Sequence, residues 1–331
     1  MTLITHWNPA NRSRDSRPGL LMQSRPAEIS EQATNTRTVR RLLLFLPLTM
    51  LVACTHLSEK HQGTRYLRDV AQWQEVAMPA KSDQAAWMVW SYAASYSRHE
   101  WRVFIKDGLV NAQLCDEAPE KRPNRPNFTP KAGTLRGPSA FAAVDDGWLV
   151  AFNHGEFGAA LYWFSQNGER SYKISGHHIV DFFSFQNGVY AIEGLEHMGI
   201  SKGSVIRIDR PTGGTRWQTA SVAELHFAPY AVSLRRDGNM LITLSDSLVS
   251  VGIAGKIQTL LAEADAPWGG LYPNSSVLSP DEQKLYIGMR QFVAEFDLTT
   301  KGFRLLVPST EFLNKLPHDD ERRIRKQYGG P

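Results

Sequence analysis

The chain has 331 residues, 42% of them hydrophobic, with 37 Lys and Arg against 33 Asp and Glu and a formal net charge of +4. Residues 1–53 hold seven arginines and three carboxylates, so residues 54–331 carry thirty charges of each sign and no net charge. A neutral body lacks the basic excess by which nucleic-acid binders displace counterions, and two cysteines cannot make a disulfide framework.

In chain order, residues 1–36 are polar and show no apolar periodicity, so no fold is expected there. Met22 offers a start that would give a shorter leader. Arg37, Arg40 and Arg41 then precede an apolar run, Leu42 to Ala53, interrupted by Pro47. Its 12 residues would span about 18 Å as a helix, whereas a bilayer core needs roughly 20 apolar residues. Basic residues followed by a short apolar core are the pattern of a secretion signal. The closing Leu51-Val52-Ala53-Cys54 resembles the lipobox of bacterial lipoproteins. That resemblance implies cleavage before Cys54 and covalent lipid, palmitate included, on its thiol. It also implies attachment to a membrane in the cell envelope. Thr55, in place of an Asp after the cysteine, points to the outer membrane and a periplasm-facing body. With Cys54 committed to lipid, Cys115 is expected to be a small, shielded core residue.

The expected organisation is a leader and signal peptide over 1–53, a lipidated linker over 54–66, a β-rich domain over 67–308 and a C-terminal tail over 309–331. Short helices are expected over Thr64–Trp73 and from Thr310 onward. The tail's mixed charges and its Gly-Gly-Pro ending suggest a solvated, frayed end.

From residue 67 onward, short runs rich in Val, Ile, Tyr, Phe and Trp alternate with turns, and the turns repeat. One series comprises Asp146-Gly147, Asn187-Gly188, Asp237-Gly238 and Glu282-Gln283, with steps of 41, 50 and 45 residues. A second series, Asn167-Gly168, Gly213-Gly214, Ala254-Gly255 and Lys301-Gly302, steps by 46, 41 and 47. Four strands per unit at about 45 residues is the period of a β-propeller blade. Ser279-Pro280-Asp281-Glu282-Gln283-Lys284-Leu285-Tyr286 resembles the Ser-Pro-Asp-Gly turn stretch of bacterial propellers, with Glu-Gln replacing the glycine turn. Upstream, Ala86–Ala94, Trp101–Ile105 and Leu109–Leu114 read as strands of a degenerate first blade. The fold expected is all-β: a propeller of five to six four-stranded blades, the sixth requiring residues 67–80 to join the C-terminal strands. An irregular β-sandwich is the competing architecture.

Alternating strands put the tight turns on one face and the longer loops on the other. The loop face collects His154, Glu156, His177, His178, Glu193, His197 and His226, together with Trp268, Tyr272 and Arg290. Trp268 and Tyr272 either anchor a partner or pack on the next blade. His154, His177 or His178, Glu193 and His197 are the set from which a metal site would be built, with His154, His178 and His197 the metal candidates, although no ligand pair has a diagnostic spacing. Glu156 with His178 is the acid–base pair a hydrolase or lyase would use. No nucleophile elbow or phosphate-cradling glycine loop is present. The functional expectation is therefore a lipid-anchored binding protein that recognises an envelope protein or glycan, with no cofactor besides the lipid. An immunity or inhibitor lipoprotein and a metal-dependent hydrolase or lyase are the alternatives.

Overall fold

The computed structural model describes residues 66–115, 125–135, 137–262 and 266–329. The leader, the lipobox with Cys54 and the linker up to residue 65 lie outside the described residues.

The chain enters on β1 (Tyr66–Leu67) and β2 (Gln74–Val76), then forms helix α1 (Gln84–Ser95). The first blade follows as β3 (Trp101–Lys106) and β4 (Leu109–Leu114), with β1 on its outer edge in the order β1-β4-β3. Three four-stranded antiparallel sheets come next. The second blade is β5 (Ala140–Val144), β6 (Gly147–Asn153), β7 (Ala159–Ser165) and β8 (Ser171–Ser175). The third is β9 (Ile179–Phe185), β10 (Gly188–His197), β11 (Ile200–Asp209) and β12 (Gln218–Leu225), and the fourth is β13 (Pro229–Leu234), β14 (Met240–Leu244), β15 (Leu248–Val251) and β16 (Ile257–Leu261). The fifth, β17 (Ser275–Leu278), β18 (Lys284–Gly288), β19 (Val293–Asp297) and β20 (Phe303–Val307), takes β2 as an additional outer strand. Helix α2 (His318–Tyr328) ends the described chain.

The inner strands β5, β9, β13, β17 and β3 stand side by side in that order, and all five line one central cavity. The fold is thus a five-bladed propeller. Residues 67–80 do not build a sixth blade. Gln74, Glu75 and Val76 instead pair with Val307, Leu306 and Leu305, while Tyr66 and Leu67 pair with Gln113 and Ala112. One N-terminal segment therefore joins the outer edges of the first and fifth blades. Between them lies a core containing Val70, Trp73, Trp101, Val103, Tyr286 and Leu306. Trp73 meets Trp101 edge-on at 4.9 Å. At Gly288 a Cβ would stand 2.5 Å from the Trp101 carbonyl oxygen, so the close approach of these two blades requires glycine there.

Three sequence expectations change. Ala86–Ala94 is helix rather than strand. Asp83 caps α1 by accepting from the Ala86 amide at 3.0 Å. Trp90, on the apolar side of the helix, stacks on Phe292 at 5.6 Å. The C-terminal helix expected from Thr310 onward is present over His318–Tyr328, but it packs on α1 with Ile324 buried instead of forming a solvated, frayed end. Its first turn carries Asp319, Asp320 and Glu321 and its last turn Arg325 and Lys326, the polarity that suits a helix dipole. Finally, the tight turns sit one residue earlier than expected in two hairpins. Gly188 pairs with Phe185 as a strand residue, and Gln186 (φ 44°) and Asn187 (φ 62°) take the central positions. Gly147 likewise pairs with Val144, leaving Asp145 and Asp146 in the turn. In the first blade Asp107 and Gly108 both occupy the turn between β3 and β4, at φ 55° and 71°.

Cys115 follows β4 and is half-buried rather than shielded; it lines a cavity of about 440 Å³ with Ser97, Arg98 and Arg290. No helix among the described residues is long and apolar enough to cross a membrane.

Candidate functional site

Each first strand runs from the loop face towards the turn face, so the loops joining second to third strands and blade to blade share one end. The expected histidines all lie on or beside that end. The structure divides them into separate neighbourhoods rather than bringing them together.

The outermost neighbourhood spans the second and third blades. His154 precedes a single helical turn, Gly155–Phe157, and its amide donates to the Gly158 carbonyl at 3.0 Å. The turn presents Glu156, whose Oε2 lies 2.5 Å from His197 Nε2. His197 comes from the end of β10, the first arm of a hairpin whose strands are ten residues long. Its partner β11 follows a two-residue turn, Met198 (φ 45°) and Gly199 (φ 84°). The polar pair stands among apolar side chains open to solvent: Phe157 is 78% exposed, Met198 71% and Ile200 54%.

Nearer the axis the chemistry is polar and satisfied. Asn153 Nδ2 donates to the Ile179 carbonyl at 3.2 Å, and its Oδ1 accepts from the Gly155 amide at 3.1 Å. That oxygen also lies 3.4 Å from His178 Nδ1. Burial pushes the His178 imidazole below its ordinary pKa, with the Glu193 carboxylate opposing that shift. Glu193 accepts from Ser204 Oγ at 2.6 Å. His177 makes its contact with Ser175 Oγ at 2.8 Å and does not join His178. Glu196 is buried and accepts from the Tyr230 hydroxyl at 3.0 Å. Burial first, and the Glu196 charge second, raise the Tyr230 phenol far above its usual range, so it acts as a neutral donor.

The remaining expected residues belong elsewhere. Trp268 is fully buried, its indole donating to the Leu244 carbonyl at 3.0 Å, so it takes the packing alternative and anchors no partner. Tyr272 (φ 53°) lies under the Arg290 guanidinium, 4.5 Å from its ring centre. Arg290 is itself mostly buried and donates to the Ser95 carbonyl at 2.5 Å, where α1 ends. Arg290 thereby fastens the helical cap to the fifth blade. His226 is exposed and borders a groove between the third and fourth blades.

Among the described residues no group of three or more His, Cys, Asp or Glu side chains is arranged to hold a metal ion. His154, His178 and His197 do not converge: His197 is turned to Glu156, and His178 to Asn153. Sequence reasoning passed over Tyr230, and also Arg102 and Arg125, which line the central cavity. Their signal is the polar member recurring near the start of each first strand, visible once the five first strands are aligned as a ring.

No family model and no curated protein matches the sequence. Solved structures match over part of the chain. The extracellular domain of a one-component system from B. thetaiotaomicron is 12% identical, with a TM-score of 0.40, over 57% of this chain and 25% of that one. A gluconolactonase from Xanthomonas campestris is 10% identical, with a TM-score of 0.36, over 60% of this chain and 65% of that one. This chain therefore spans a quarter of the first protein and under two thirds of the second, and at such identities neither activity carries across.

Proposed function

We propose that this protein is a lipid-anchored binding protein of the cell envelope that recognises a protein partner through the loop face of its second and third blades. The observation that supports this reading is the exposed cluster of Phe157, Met198 and Ile200 around the Glu156–His197 pair. Large apolar side chains open to water cost solvation free energy and are typical of contact surfaces when they occur together. A Met at the tip adapts to an irregular partner surface, and the Glu156–His197 contact places polar groups within the patch. The arginine-led apolar run ending at Cys54 supports the address: an outer-membrane anchor with the propeller facing the periplasm.

The test has two parts. Full-length protein is purified from envelopes after in-cell cross-linking, as wild type and as Phe157→Asp/Met198→Asp. A partner captured by wild type and lost from the double variant is the expected result. Equal capture by both would overturn the assignment of this surface. Separately, metabolic labelling with an alkynyl palmitate analogue is expected to mark wild type and not Cys54→Ser. Labelling of the serine variant, or none of wild type, would remove the anchor.

A further inference from the structure

Two arginines, Arg102 and Arg125, line the central cavity. It measures about 400 Å³, within the range of roughly 300–1,000 Å³ common for small-molecule pockets. Residues at or near the loop-face ends of all five first strands line it, among them Arg102 on β3, Asp181 on β9 and Tyr230 on β13. Arg125 enters from the connection leading into the second blade, its guanidinium 5.4 Å from the Phe141 ring centre.

Most polar groups of this wall are already used within the protein. The Tyr230 hydroxyl donates to Glu196. Ser275 Oγ donates to Asn274 Oδ1 at 2.9 Å and accepts from the Val103 amide at 3.0 Å. Asn274 Nδ2 donates to Glu100 at 3.3 Å, and Ser276 Oγ meets Ser233 Oγ at 2.8 Å. Asp181 accepts from the Phe182 amide at 2.9 Å. The guanidiniums are the exception. Among the described residues, Arg102 Nε is shielded from solvent and meets no hydrogen-bond acceptor, and neither Arg102 nor Arg125 forms an ion pair. A buried, planar donor without an acceptor carries a desolvation cost, and the guanidinium fork fits carboxylate and phosphate oxygens.

We infer that the central cavity is a binding site for a small organic anion, a carboxylate or phosphate, received by Arg102 with Arg125 at the rim. The site is separate from the hairpin-tip surface and independent of it. Phe141 and the apolar atoms of Val180 and Val232 offer such a ligand a non-polar wall, so an anion attached to a compact carbon skeleton fits better than a bare ion.

Isothermal titration calorimetry on the full chain, at fixed ionic strength, tests this with glucuronate, glucose-1-phosphate and inorganic phosphate, and with glucose as the neutral control. The expected result is saturable one-to-one binding of at least one organic anion, none of glucose, and weakening of at least about tenfold in Arg102→Gln. Arg125→Gln is expected to weaken the same anion, and Arg125→Lys to restore part of the loss. Preference between glucuronate and glucose-1-phosphate assigns the anion as carboxylate or phosphate. Failure of all three anions to saturate at millimolar concentration overturns the inference, as does undiminished binding by Arg102→Gln. A second readout guards against a folding defect. Arg102 is half-buried and its Nε has no acceptor among the described residues, so Arg102→Gln should leave the melting temperature unchanged or higher, and a fall with binding retained would mark the arginine as structural. Phe157→Asp/Met198→Asp should bind the anion as wild type does.

Discussion

The two ends of this propeller use their polar residues in opposite ways. On the turn face, side chains bind one blade to the next. Asp146, in the first turn of the second blade, accepts from Trp163 Nε1 at 3.0 Å within its own blade. It also accepts from Trp217 Nε1 at 3.2 Å and Arg210 Nη1 at 3.1 Å, both from the loop joining β11 to β12. Glu282, in the first turn of the fifth blade, accepts from the Arg236 amide at 3.1 Å across the boundary with the fourth. On the loop face the equivalent positions over the second and third blades hold Phe157, Met198 and Ile200, open to water. At the turn face those polar contacts join neighbouring blades, and its exposed apolar side chains, Ile105, Leu109 and Ile253, are less open, at 42–48%. The loop face holds surface that self-packing leaves unused, which is where recognition by a propeller has room to act.

That contrast predicts unequal consequences of substitution. Asp146→Ala should have the largest effect on stability, about 2–3 kcal/mol, because it strands two indole donors at one boundary, while Arg210 keeps Asp145 as its partner. Partial exposure of Asp146 and Arg210 keeps the loss below that of a fully buried pair. Urea denaturation measures it, and a shift under about 0.5 kcal/mol would show that the network adds nothing beyond the blade cores. Glu282→Ala removes the contacts to the Arg236 amide and to the guanidiniums of the half-buried Arg235 and the exposed Arg236. Its expected cost is about 1 kcal/mol or less, by the same measurement.

The sequence carried the propeller more clearly than the site. The fifth-blade strands Lys284–Gly288 and Phe303–Val307 occur at the residues read for them, because each is a short apolar run, largely buried, bounded by a turn. Ala86–Ala94 misled because an Ala- and Trp-rich run is apolar at both periods, and the Asp83 cap and the docking of Trp90 on Phe292 settle it as helix. The histidines were visible as residues on one face, but face is a coarse coordinate. Whether His178 meets His197 or Asn153 depends on how far each loop reaches towards the axis. Arg102 was unreadable for the same reason: on one strand it is an ordinary polar alternation, and only ring closure places it in a cavity. Trp268 shows the converse, since a tryptophan in a Gly/Pro-rich loop read equally as anchor or core until the neighbouring blade was placed.

On the loop face the expected effects on stability are small and those on binding are not. Phe157→Asp/Met198→Asp should shift the unfolding midpoint by less than about 0.5 kcal/mol, since both side chains are already solvated. A larger loss would mean that the hairpin tip packs for structural reasons, and the contrast between the two ends would narrow.

The smallest effect expected is a pH dependence at His178. Burial holds its imidazole below the ordinary value in the folded protein, while Glu193 limits the shift. The unfolded chain therefore takes up the proton first, at a pH near 6.5. Between that value and the lower folded one the unfolded state binds more protons, so stability falls as the pH is lowered through this window and levels off below it. Comparing urea midpoints at about pH 7.5 and 5.5 for wild type and His178→Gln isolates this contribution from those of the other titrating groups. The variant should lose less stability on acidification than wild type. An equal loss would show that the His178 imidazole is not shielded as its place beside Asn153 and Glu193 implies.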